Sequence, residues 1–282
     1  MRLYNRFSNI QFWMILVNKE YIKMWSDEYT NLLSEFTSAV EDELLQYVRG
    51  LILYGSYRKE QTESGWIIPG TSDLDLVLIV DLDDINPEKP ARRLGKIGEA
   101  LAVFFTHPVY APILDLTILD YHDLPVFAGM AFSPIHAVSA SMGEVLLGKN
   151  VLKDYSYSEK LLNRCAKIII AQNFESIKSS FLHRDIIGDQ LVYDYADLVL
   201  DTAHATLAYT GIFNLVRTEV PEKFELLLSD KIESPTAVDI VYEAKKIRMG
   251  SQKMKKSVFL TGSLQFTQSI MRYLRNPFNE SK

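Results

Sequence analysis

The sequence predicts an α+β domain followed by a bundle of about five helices. Three observations carry this reading. Short apolar runs at 51–54, 73–80 and 113–119 have the length and spacing of strands. Helical periodicity flanks and separates them. Beyond about residue 135 the strand signals vanish and long three-and-four spaced patterns take over, which segregates the helices. The expected organisation is an N-terminal extension over 1–25, an α+β domain over 26–135 and a helical bundle over 136–282.

Each element has its own signal. From Ser26 to Arg49, Leu32, Leu33, Phe36, Val40, Leu44, Leu45 and Val48 recur at helical spacing, and Gly50 reads as the helix stop. Residues 1–24 look unlike the start of a domain, and Met24 is an alternative beginning. Leu51 to Tyr54 is wholly apolar, a buried strand. A polar loop with Gly65, Pro69 and Gly70 follows, and then Asp73 to Val80 (DLDLVLIV), the most strand-like segment of the chain. Arg92 to Phe105 suits a helix, and Ile113 to Leu119 alternates as a third strand. Later helices are expected over Glu159–Phe181, Asp189–Tyr209 (stopped by Gly211), from Ser234-Pro235 to Met249, and over Val258–Leu274.

Composition bounds the function. The chain has 282 residues, of which 48% are apolar and 23% charged, with a mean hydropathy of −0.01. This excludes a disordered tail, a collagen-like fibre and a multi-span membrane protein. The longest apolar run near the N-terminus, Phe12 to Val17, is far short of the roughly 20 residues a membrane helix needs, and no cleavage site follows it. The lone cysteine, Cys165, allows no internal disulfide or cysteine zinc site and reads as a small buried hydrophobe. A cytoplasmic protein without a membrane partner is expected. The net charge of −6 is localised: Leu51 to Phe132 holds twelve acids and six bases, so this window carries the whole deficit.

Within that window three features occur in order: Tyr54-Gly55-Ser56, Ser72-Asp73-Leu74-Asp75 and Leu114-Asp115-Leu116. Residues i and i+2 of a strand share a face, so Asp73 and Asp75 project together, with apolar Val77 and Ile79 further along. Adjacent carboxylates in an apolar strand repel and are costly to desolvate. Asp115 repeats the anomaly. A hard divalent cation accounts for three such oxygen donors, and paired metals can clamp the two oxygens of an in-line displacement. A Gly-Ser turn after a buried strand lets backbone N–H groups grip an anion such as a triphosphate.

These residues resemble the DNA polymerase beta-type nucleotidyltransferase superfamily, whose pattern is a strand ending in Gly-Ser, then Asp-x-Asp on the next strand and a third Asp on a later one. The resemblance covers about residues 36–120 and implies a nucleotidyltransferase fold, a small mixed sheet with flanking helices. It implies that Asp73, Asp75 and Asp115 are catalytic and hold Mg²⁺, as two ions. It further implies that Gly55 and Ser56 bind the phosphates of an NTP, with ATP expected, together with Ser72 and Arg58 or Lys59. The sixteen residues between Ser56 and Asp73 exceed the usual loop, and the extra stretch from Ser64 to Gly70 carries Trp66. Gly143 to Lys149 resembles the helix and turn leading to the family's helical domain. The later helices are similar to the bundle of aminoglycoside nucleotidyltransferases and HEPN modules, although the ribonuclease signature of the latter is missing.

Other features have bland readings. The run Lys245 to Lys256 has six bases and no acid, but no interleaved aromatics, and reads as a solvated face rather than an RNA site. His122-Asp123 lacks the further histidines of a phosphohydrolase. His204 reads as a core or groove residue, Glu144 as an additional base at most, and Asp81, Asp83 and Asp84 as solvent-facing. The expectation is an enzyme moving an NMP group from NTP to an acceptor hydroxyl with release of pyrophosphate. The acceptor is left open among a small molecule, a tRNA end and a protein. The charge argues modestly against long nucleic acid, and a homodimer is compatible with the reading. The alternative is a non-catalytic nucleotide-binding regulator or antitoxin-like module that binds a partner.

Overall fold

The computed structural model describes residues 19–55, 74–82, 89–111, 113–124, 133–182, 190–213, 217–251 and 254–275. They form a four-stranded mixed sheet and eight α-helices, divided between two compact units. Among them no helix is long and apolar enough to cross a membrane.

The first unit is the sheet, with strands β1 (Val48–Tyr54), β2 (Leu74–Val80), β3 (Leu114–Asp120) and β4 (Glu144–Gly148) in the order β3-β2-β1-β4. β1 is antiparallel to both β2 and β4, and β2 is parallel to β3. The parallel pair needs a crossover, which α2 (Lys89–Thr106) supplies. Alternation along the strands sorts the side chains into two faces. Leu51, Leu53, Leu74, Leu76, Leu78 and Val80 face a core closed by Tyr29, Leu32 and Phe36 of α1 (Lys19–Ala39) and by Ile97, Leu101 and Phe104 of α2. Phe36 and Phe104 meet edge to face at 5.1 Å between ring centroids.

Three sequence readings are corrected in this unit. The first helix starts at Lys19 rather than Ser26 and passes into a π-helical turn at Val40–Leu44, after which β1 begins at Val48. Gly50 is therefore not a helix stop but a strand residue, and a Cβ there would overlap the carbonyl of Lys149 on the neighbouring strand's end. The third concerns residues 143–149, expected as helix and turn: Glu144–Gly148 is an edge strand of the sheet. Its five residues are half-exposed or exposed, so they carry no hydrophobic alternation to reveal it. Gly148 sits at φ 66°, and a Cβ on it would lie 2.9 Å from the carbonyl carbon of Arg49. The two glycines face each other in register and let β1 and β4 close despite a bulge between Leu51 and Ile52.

The second unit is helical: α3 (Pro134–Ser141), α4 (Glu159–Phe181), α5 (Gln190–Tyr209), α6 (Val220–Leu228), α7 (Ala237–Arg248) and α8 (Lys256–Arg275). Four of these fall where helical spacing predicts them; α3 and α6 are too short to show a stripe. Ser158 caps α4, its side chain accepting from the Leu161 N–H. The core is built around α5, with Tyr195, Val199, Leu200, Ala203 and Leu207 buried, and Tyr195 donates its hydroxyl to the Ile177 carbonyl at 2.7 Å. Cys165 is buried here, and burial pushes its thiol up from the ordinary range, against a smaller opposing effect of Arg164.

Replacing Gly148 by alanine imposes both left-handed backbone strain and a collision with β1. The expected cost is about 2–4 kcal/mol, read as a lowered midpoint in urea with an unchanged slope.

Candidate active site

The candidate site lies where β1 ends and where β2 and β3 begin. In the antiparallel pair Tyr54 stands opposite Asp75, and in the parallel pair Asp75 stands beside Asp115. Paired residues share a face, so Tyr54, Asp75 and Asp115 form a row across three strands. Further along this same face Val77, Ile79, Ile52 and Leu119 are buried, whereas Asp75 is half-buried and Asp115 exposed. The apolar face gives way to carboxylates at one edge. Neighbouring strands lie about 4.8 Å apart, and like charges side by side at that spacing destabilise a sheet. A bound cation would reverse the sign of that contribution.

Gly55 closes the row. Its φ is 73°, a conformation other residues adopt only with strain. A Cβ on it would also overlap the Asp75 carboxylate, with Cγ 2.6 Å away. Glycine is thus demanded twice at this turn, by its own backbone and by the carboxylate against it. Of the eight residues the sequence nominates, the structure brings together Gly55, Asp75 and Asp115; Ser56, Arg58, Lys59, Ser72 and Asp73 lie outside the described residues, as does Trp66. Among the described residues no three His, Cys, Asp or Glu side chains converge. The donors present are all oxygen, the chemistry Mg²⁺ requires, and the glycine leaves the Asp75 carboxylate room that a side chain would fill. The residues fit the ion.

Tyr54 is the addition that register makes. Its signal in the sequence is parity alone: it shares the face of Ile52, two residues earlier. Glu144 is moved away from the site by the same logic, because it pairs with Leu53, whose side chain belongs to the opposite, helix-covered face.

Asp81, expected to face solvent, is instead ion-paired at the other end of β2. Arg49 on β1 donates to its carboxylate, and His122 Nε2 lies 3.2 Å from Oδ1. Burial raises the Asp81 pKa, but the hydrogen bonds and charges of Arg49 and His122 outweigh it and leave the carboxyl below its ordinary range. Arg93 adds a bond to the Asp81 carbonyl at 3.0 Å. His122 thus has a structural partner. Asp83 and Asp84 lie outside the described residues.

Three of the six bases in the basic run, Lys245, Lys246 and Arg248, are paired within the helical unit. Lys245 binds Glu222 and the Thr218 carbonyl, both at 2.7 Å, Lys246 lies 3.5 Å from Glu243, and Arg248 donates to Asp197 at 3.0 Å. Arg217 completes this cluster with ion pairs to Asp197 and Asp201. His204 follows Asp201 by one turn, and its Nε2 is sealed from solvent without a hydrogen-bond partner. Burial pushes its pKa down to about 4, helped by Arg217 and His136 and opposed by Asp201. It is a half-buried histidine held in its neutral form.

The chain matches no protein-family model and no curated protein sequence.

Because His204 is neutral when folded and titrates near 6.5 when unfolded, its contribution to stability is whole above pH 6.5. It is lost as the pH falls towards 4, where the unfolded state alone takes up the proton. The expected loss is about 3 kcal/mol. A His204→Gln variant should show a flatter profile than wild type in urea denaturation from pH 7.5 to 4.5.

Proposed function

We propose that the chain is a Mg²⁺-dependent nucleotidyltransferase. The observation that supports this most is the in-register pair Asp75 and Asp115 at the mouth of parallel strands, with Gly55 kept free of a side chain against Asp75. The mutual repulsion of paired carboxylates at the end of a buried face would be offset by a bound cation. Asp73, Asp75 and Asp115 would hold the metal. Bound Mg²⁺ would supply positive charge to the phosphoryl oxygens.

The chain's own residues divide the remaining work. The Gly55-Ser56 turn, with Ser72 and Arg58 or Lys59, orients the triphosphate of an NTP, expected to be ATP. Asp115, exposed at the start of β3, accepts the proton of the acceptor hydroxyl. The freed oxygen bonds to the α-phosphorus, the bond from that phosphorus to the bridging oxygen breaks, and pyrophosphate leaves. Positioning carries most of the rate. In this reading the sheet unit is a nucleotidyltransferase fold.

Incubation of the full chain with α-phosphate-labelled ATP, Mg²⁺ and fractionated cell extract should label one acceptor fraction and release pyrophosphate. Chelation should abolish labelling, and the double variant Asp73→Ala, Asp75→Ala should reduce it by at least about 100-fold. Equal labelling by wild type and the double variant across all fractions would sink the enzymatic reading in favour of a nucleotide-binding regulator.

A further inference from the structure

We infer that Gly55 is a positioning residue for the metal ligand Asp75, a role separate from any contact of its turn with phosphate. The inference rests on the metal-dependent reading above and sharpens it. The Asp75 carboxylate occupies the volume that a side chain at position 55 would take, with Cγ and Cβ 2.6 and 2.9 Å from the place of that Cβ. The collision is not with the far end of a flexible chain. Aspartate has one rotatable bond before its carboxyl carbon, and its Cβ is fixed by β2. Moving the carboxylate clear of a methyl group therefore means turning it out of the row it forms with Asp115. Residues that orient a ligand without touching the metal commonly govern its affinity by about 10- to 100-fold.

The chain contains its own control for backbone strain. Gly250 has φ 70°, close to the 73° of Gly55, yet a Cβ there meets nothing within 4 Å. Gly55→Ala and Gly250→Ala therefore impose nearly the same left-handed strain, and only the first crowds a carboxylate.

The test is direct binding of Mn²⁺ alone to the full chain, without nucleotide, followed by electron paramagnetic resonance. Wild type should bind saturably and Asp75→Asn should lose affinity; failure of either removes the metal reading itself. Given both, Gly55→Ala should bind Mn²⁺ about 10- to 100-fold more weakly, while Gly250→Ala binds as wild type does. Wild-type affinity in Gly55→Ala, or equal weakening in the two alanine variants, would overturn the positioning role and leave the metal reading intact. Should Gly55→Ala fail to fold, the double variant Gly55→Ala, Asp75→Ala decides. Recovery of folding when the carboxylate is removed supports the crowding, and a chain that stays unfolded overturns the carboxylate as its cause.

Discussion

The parallel pairing of β2 with β3, and the register in which it sets, is the constraint from which the candidate site follows. Seven consecutive residue pairs, from Leu74 with Leu114 to Val80 with Asp120, fix which side chains share a face. A slip of one residue would turn Asp115 into the helix-covered core and bring Leu114 or Leu116 to the outer face. The burial of Leu74, Leu76, Leu78 and Val80 on one face makes such a slip expensive. The apolar core thereby enforces the nearness of two carboxylates that would otherwise stay apart. Gly55 is part of the same constraint, since β1 ends against the carboxylate that β2 presents.

Charge in the sheet unit is distributed by strand end. The starts of β2 and β3 carry Asp75 and Asp115 in a row. The end of β2 carries Asp81, compensated by Arg49 and His122. The Asp81 pairs are partly exposed and contribute modestly to stability, about 0.2–1 kcal/mol each. Their effect is to compensate the Asp81 carboxylate at that end.

The helical unit keeps its polar groups for itself. Thr202 and Thr206, both buried, return their hydroxyls to carbonyls one turn back at 2.7 Å. Arg248 is nearly buried, and pairing with Asp197 is what makes that burial tolerable, since an uncompensated charge there would be strongly destabilising. Basic residues that look like a surface for polyanions when read in a row are divided among Glu222, Glu243 and Asp197 once the helices pack.

Much of this was legible in the residues. The three strands of the window, the long helices of the second half, the burial of Cys165 and the shared face of Asp75, Val77 and Ile79 all follow from local periodicity, which is a property of short segments. Other features were not. The edge strand β4 has no alternation of its own and exists because β1 offers it a hydrogen-bonding partner. Gly50 looks like a helix stop, yet its reason is the Lys149 backbone arriving from nearly a hundred residues away. Asp81 looks like a solvated acid until Arg49 and His122 are brought to it. By itself, the sequence determined which residues are anomalous: a glycine after a strand, and carboxylates in apolar runs. Only the tertiary structure decided which of them meet, because the meeting depends on strand order and register, and these are chosen by the burial of the other face of the sheet.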